Sequence, residues 1–266
     1  MSIELVLLGE ILAIARDSDA SLDEFGQKVG ASPQLAREVV RVSNSALYGM
    51  EGKINRLERA VLILGTRAVA EIASTLLVAK QMRGMNIGRV AGDQIWIHSL
   101  HTGLCAQLIA RCLSLPSESE AYLAGLLHDL GLLDLHEAYG EPYANTVERS
   151  QTEQVPLIGL EEEAFGETHG KRLLIRASDW QFPQQLCEAI GYHDSPQEAP
   201  EGSRTLATLI RAAHIIVAEP GKGFSDMPPT PEDESILSDL GLVPDDVSDI
   251  QALLIERMKE VAPILR

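Results

Sequence analysis

Apolar residues recur along most of the chain at helical spacing, and period-two alternation is nearly absent. Ile3, Leu7, Ile11 and Ile14 form one stripe over residues 3–16. Ser21, with Glu24 three positions on, has the form of a capping box and opens a second helix. Ser32-Pro33 supplies an N-cap and a first-turn proline for a third, running to about Leu47. Two more are expected over 57–64, stopped by Gly65, and over 67–82. Gly84, Gly88 and Gly92 then mark a joint. Beyond it, helices are expected over 94–113, 118–136 with Ser117 as cap, 142–153, 159–178, 184–192 and 203–218. Breaks fall at Leu115-Pro116 and between Trp180 and Pro183. Residues 220–234, dense in Pro, Gly and acid, read as an exposed loop. A short helix at 235–241 and an amphipathic one at 246–261 close the chain. Ile250, Leu253, Leu254, Met258 and Val261 make the stripe of the last.

This pattern predicts an all-α protein. A smaller N-terminal helical lobe occupies 1–87 and a larger helical lobe 88–219. The remainder, 220–266, is an acidic loop followed by helices that pack on the core.

The chain has 266 residues, 45% of them apolar, enough for a sizeable core. Its formal charge of −17 disfavours nucleic acid and anionic membrane as main partners. Arg56, Arg59 and Arg67 form a short basic cluster that reads as a solvated helix face. The N-terminal apolar stretch is interrupted by Glu4 and Glu10 and follows no basic region, so no leader is expected. Nor does any stretch reach the roughly 20 apolar residues of a membrane span. Cys105, Cys112 and Cys187 include no CxxC, and the first two share a helix face. Buried thiols in a reducing cytoplasm are expected.

Four histidines stand out once placed on these helices. His98 belongs to an inward face that continues through His101, Cys105, Leu108 and Cys112. His128 and Asp129 lie in Ala-Gly-Leu-Leu-His-Asp-Leu-Gly. His169 shares a face with Phe165, Leu173 and Ala177, and His193-Asp194 follows a short helix. Imidazole nitrogens and carboxylate oxygens on rigid elements are the ligands a divalent transition metal takes. Histidines on inward faces can converge in a bundle core. Gly125 and Gly131 would leave room for an ion beside the His128–Asp129 helix. His101, His136 and His214 read as non-ligands, and Glu118, Glu120 and Glu161 to Glu163 as solvated helix starts. No nucleophile elbow, Walker loop or dinucleotide fingerprint occurs.

Together these segments resemble the HDOD family, a bacterial regulatory branch related to the HD-domain metal phosphohydrolases. The likeness spans about residues 20–218. It is carried by Asn44-Ser45 to Tyr48-Gly49, by Ile54 leading to Ala60 to Leu64-Gly65, and by Trp96-Ile-His98. Ala124 to Gly131, Glu167-Thr-His169-Gly, Trp180-Gln-Phe-Pro183 and Ala189 to Pro196 follow in family order. The resemblance implies an HD-like helical bundle behind the smaller N-terminal lobe. It places the HD metal positions on His98, His128, Asp129, His169 and His193, with Asp194 where catalytic relatives carry a second histidine.

Three departures accompany it. Leu132 stands where catalytic relatives often have a phosphate-meeting lysine. The late helix holds Ala212-Ala-His214 in place of an aspartate ligand, and no Gly-Tyr-Pro extension follows His193. The resemblance therefore implies a non-catalytic signal-transduction module, acting through signalling proteins or a small nucleotide ligand. No catalytic residue is assigned. The only cofactor entertained is one divalent transition metal, Fe, Mn or Zn. The alternative is a metal-dependent phosphohydrolase acting on a nucleotide or cyclic dinucleotide.

Overall fold

The computed structural model describes residues 3–115, 117–218 and 231–261, with backbone alone at 231–234. Among the described residues the protein is all-helical, with one isolated bridge between Ile87 and Val90. The helices are α1 (Ile3–Arg16), α2 (Leu22–Gly30), α3 (Pro33–Ser43), α4 (Leu57–Arg83), α5 (Gly92–Cys112), α6 (Glu118–Leu127) and α7 (Leu130–Tyr139). They continue as α8 (Glu141–Glu153), α9 (Leu157–Phe165), α10 (His169–Asp179), α11 (Gln184–Gly191), α12 (Glu201–Val217), α13 (Pro231–Asp239) and α14 (Pro244–Val261).

Local chemistry sets several boundaries. Ser21 caps α2 in a complete capping box with Glu24. Ser32 accepts from the Leu35 amide at the head of α3, with Pro33 in its first turn. Ser117, expected to cap, makes no side-chain capping bond. The loop expected over 220–234 lies outside the described residues as far as 230, and its last four residues belong to α13.

α1, α2 and α3 pack on α4. α5 pairs with α6 and α12, while α10 joins α7 to α11. α14 lies on α5, burying Ile250, Leu254 and Val261 but leaving Leu253 exposed. Apart from Leu160, the buried apolar side chains of the described residues form one cluster, from Leu5 to Val261. Cys105 and Cys187 are buried; Cys112 is exposed because it is the last residue of α5.

Gly65 interrupts the helix as expected. With φ 84° and ψ 163° its backbone is non-helical, and the two expected helices meet there at a kink within α4. As a result α4 has the length and apolarity to cross a membrane, with mean hydropathy 1.8 over an 18-residue window. Half of that window is buried inside the bundle, as in a core helix.

The room expected beside Gly125 and Gly131 is taken up by backbone. A Cβ on Gly125 would lie 2.8 Å from the Gly103 Cα of α5. One on Gly131 would lie 2.0 Å from the His169 carbonyl oxygen. The two glycines bring α5 and α10 against the chain that carries His128 and Asp129.

The Gly65 backbone lies in a region open essentially to glycine alone. Gly65→Ala should therefore lower unfolding stability by about 1–3 kcal/mol. Urea denaturation followed by circular dichroism measures this, and an unchanged midpoint would refute the strain argument.

Candidate metal centre

The sequence expects one helix through His128. In the structure the helix ends at Leu127 and restarts at Leu130, so His128 and Asp129 form the break. His128 keeps helical backbone angles while Asp129 departs from them, with φ −97° and ψ 7°, and both are buried, with exposures of 0% and 2%. The expected 159–178 helix also divides, at Gly166, which takes a left-handed φ of 70°. His169 thereby becomes the first residue of α10. His193 and Asp194 follow the end of α11.

One device recurs at both His–Asp pairs. The last turn of a helix leaves carbonyls without intrahelical partners. His128 Nδ1–H donates to the Gly125 carbonyl at 2.7 Å, and His193 Nδ1–H to the Ile190 carbonyl at 2.7 Å. Each ring is tied three residues back, which leaves its Nε2 facing the centre.

The structure brings all six sequence-designated side chains together. His128 Nε2 lies 3.2 Å and His98 Nε2 3.6 Å from the Asp129 carboxylate. His169 Nε2 lies 3.7 Å from Asp129, 3.4 Å from Asp194 and 3.4 Å from His193 Nε2. His193 Nε2 is 3.4 Å from Asp194.

Three further residues complete the centre. His214, read as a non-ligand, places its ring 4.9 Å from that of His98 and 5.4 Å from that of His128. Its signal was present: Ala207, Ile210 and His214 follow helix spacing, and the first two are fully buried. Arg211, one turn earlier on α12, donates to Asp194 Oδ1 at 2.9 Å. Glu161 is the larger departure. Expected in solvent, it is 0% exposed. Its Oε2 accepts from the His169 backbone N–H at 3.0 Å and from His169 Nδ1–H at 2.9 Å. Its Oε1 accepts from the Tyr143 hydroxyl at 2.6 Å. A run of three glutamates gives no way to tell which one turns inward. His101 and His136 stand outside the groups of converging side chains.

Burial dominates the electrostatics. It pushes His98 down to about 4, against the pull of Asp129. His128 and His214 are held well below the usual imidazole range by burial and by neighbouring imidazoles. His169 goes the other way: burial opposes its charge, but Glu161, Asp194 and Asp129 outweigh it and push the ring up to about 10. Burial would raise Asp194, yet His193, His169 and Arg211 hold it at about 2.

These groups can hold a metal ion. Two donors about 2.1 Å from one tetrahedral ion sit about 3.4 Å apart, the spacing found throughout the cluster. Three overlapping sets converge: His98, His128 and His214; His128, Asp129 and His193; His169, His193 and Asp194. His98 Nε2, His128 Nε2 and Asp129 Oδ2 are buried without a hydrogen-bond partner. Glu161–His169 has the carboxylate–histidine form that orients metal ligands.

An all-helical bundle with His–Asp pairs gathered at helix ends defines an HD-like protein. The chain belongs to the HDOD domain family, whose profile matches residues 6–196. The fold is similar to an HDOD domain protein of unknown function from Geobacter sulfurreducens, with TM-score 0.76 and 22% identity over 97% of this chain and 89% of that one. A Shewanella amazonensis protein described provisionally as a phosphohydrolase has TM-score 0.71 and 21% identity, covering 98% and 93%. A Marinobacter aquaeolei protein described provisionally as a signal transduction protein has TM-score 0.74 and 21% identity, covering 97% and 58%. An uncharacterized Treponema pallidum protein is 22% identical over 209 residues, which are 78% of this chain and 40% of that protein. The chain thus spans less than half the length of that relative.

Glu161→Leu would strip partners at once from the Tyr143 hydroxyl, the His169 amide and His169 Nδ1. We expect a loss of about 3 kcal/mol. Urea unfolding in chelator-treated buffer measures it free of any metal contribution; a loss below 1 kcal/mol, roughly the worth of a single neutral bond, would contradict the assignment.

Proposed function

We propose that this chain is a non-catalytic regulatory module of bacterial signal transduction, acting through protein or ligand binding, in which the His–Asp centre holds a divalent transition metal as a structural or sensory ion. His98, His128, Asp129, His169 and His193 are its ligands, with Asp194 and His214 as the outer members of the set. The observation that carries the reading is enclosure. His128 and His193 are 0% exposed, and Leu132, in the lysine position of catalytic relatives, is 0% exposed as well. The centre reaches solvent at the Asp194–Arg211 pair, whose side chains are 18% and 21% exposed. Phosphoester hydrolysis needs space for substrate and positive charge on the transferring oxygens. The cation beside the centre, Arg211, is engaged with Asp194.

A second reading, a metal-dependent phosphohydrolase, is favoured by one observation. Asp129 offers Oδ2 towards His98 and Oδ1 towards His128 and His169, so one carboxylate touches both halves of the cluster. Bound there, a metal would supply an activated water.

Metal analysis and activity assays separate the two. Untagged protein purified without chelator should carry about one equivalent of Fe, Mn or Zn and leave phosphoesters and cyclic dinucleotides intact. Turnover lost in His128→Ala would overturn the regulatory reading. Chelator should lower the melting temperature, since an ion held at about 100 times its Kd adds about 2.7 kcal/mol. An unchanged melting temperature would argue against a bound ion. Glu161→Gln should weaken metal binding by about 10–100-fold, read by competition with a chromogenic chelator.

A further inference from the structure

We infer that the cleft between the two lobes is a binding site for a small organic phosphate of nucleotide size. The cleft has a volume of about 620 Å³, within the range of small-molecule sites. α1 and α4 form one wall, and the first turns of α6 and α11 the other. Arg16 and Arg67 bring two guanidiniums to it from separate helices. In a chain of net charge −17, a cavity with two arginines is a local reversal of sign. Arg16 contacts Glu120, which also lines the cleft, but a guanidinium has five N–H donors and keeps others to give. Arg67 is exposed and makes no ion pair within 4 Å among the described residues, although its charge reaches Glu71 one turn on. Guanidinium is suited to phosphate because its fork matches two oxygens at once. Leu12, Leu123 and Leu186 offer apolar surface for a ring, and Ser117 and Gln185 offer polar partners for a sugar or phosphate.

The position gives the site its significance. α6 runs from the cleft to His128–Asp129, and α11 from the cleft to His193–Asp194. Ser119 and Gln185, at the cleft, precede His128 and His193 by nine and eight residues. That is about 12–14 Å at 1.5 Å per residue. A ligand that draws Arg16 and Arg67 together acts on the near ends of the two helices whose far ends hold the His–Asp pairs. The inference deepens the regulatory reading, on which it rests, by giving the ligand a chemical class and a place.

The test is calorimetric titration of the full chain with AMP and GMP, and with adenosine, guanosine and inorganic phosphate as controls. At least one nucleotide should bind, and the matching nucleoside about tenfold or more weaker. Arg67→Glu should weaken the nucleotide by about tenfold or more. Arg67 is exposed, so the thermal melt of that variant should match the parent. Arg16→Gln should act in the same direction from the other helix. Absence of binding at millimolar nucleotide would overturn the proposal. So would binding that ignores both arginines but disappears after chelator treatment, since the phosphate would then sit on the metal centre. Either failure leaves the regulatory reading standing. That reading is tested by turnover lost in His128→Ala and by the response to chelator, whatever the nucleotide result.

Discussion

Asp129 is 2% exposed, and one of its carboxylate oxygens meets no hydrogen-bond donor. A buried carboxylate left to itself costs several kcal/mol, so its surroundings must answer it. Here the answer is a ring of imidazoles: His128 at 3.2 Å, His98 at 3.6 Å and His169 at 3.7 Å. Glu161 and Asp194 bring two more carboxylates into the same volume. Against these three acids stand Arg211 and the raised imidazole of His169. Of these acids, Asp129 faces the nitrogens of His98 and His128, and burial disfavours charging of both rings. That combination favours a cation, and it sets a demand that the backbone has to meet.

The backbone meets it at helix ends. Asp129 faces three imidazoles from the turn between α6 and α7. There His128 keeps helical backbone angles and Asp129 departs from them. The same solution places His193–Asp194 beyond α11 and His169 at the first position of α10. Free carbonyls at two of these ends then fix the rings of His128 and His193. Glycines set the remaining distances. At Gly131 a Cβ would meet the backbone of His169 itself, so the close approach of α10 and the position of its histidine are one constraint.

Periodicity was enough to read the class of fold and most helices, because it reports burial directly. The capping box at α2 and the serine cap and proline at α3 were legible because their chemistry is local. The six converging side chains were legible as a set, through residue type and order. What escaped were features decided by tertiary partners. Glu161 looks like its neighbours Glu162 and Glu163 until Tyr143 and His169 are brought to it by the fold. His214 looked isolated because its companions, His98 and His128, come from helices more than eighty residues earlier. The breaks inside the expected 118–136 and 159–178 helices were missed because apolar spacing continues across them. Gly65 was legible as a breaker, because its backbone conformation is one that glycine alone takes readily.

Two side chains decide how such a centre can be used. Leu132 is locked in the core on the first turn of α7, so converting that position to a phosphate contact would require removing it from the packing that holds α7 in place. Arg211 is partly accessible, but its guanidinium bonds Asp194 Oδ1 while Asp194 Oδ2 faces His169 and His193. The arginine and the imidazoles therefore share one carboxylate. Moving Arg211 onto a substrate would release Asp194 and alter the charge of the whole cluster. A catalytic metal site keeps an open position; a structural one is closed by its own ligands. Asp194 and Arg211 are partly accessible beside the centre, and on the proposed regulatory reading their tie helps to retain an ion.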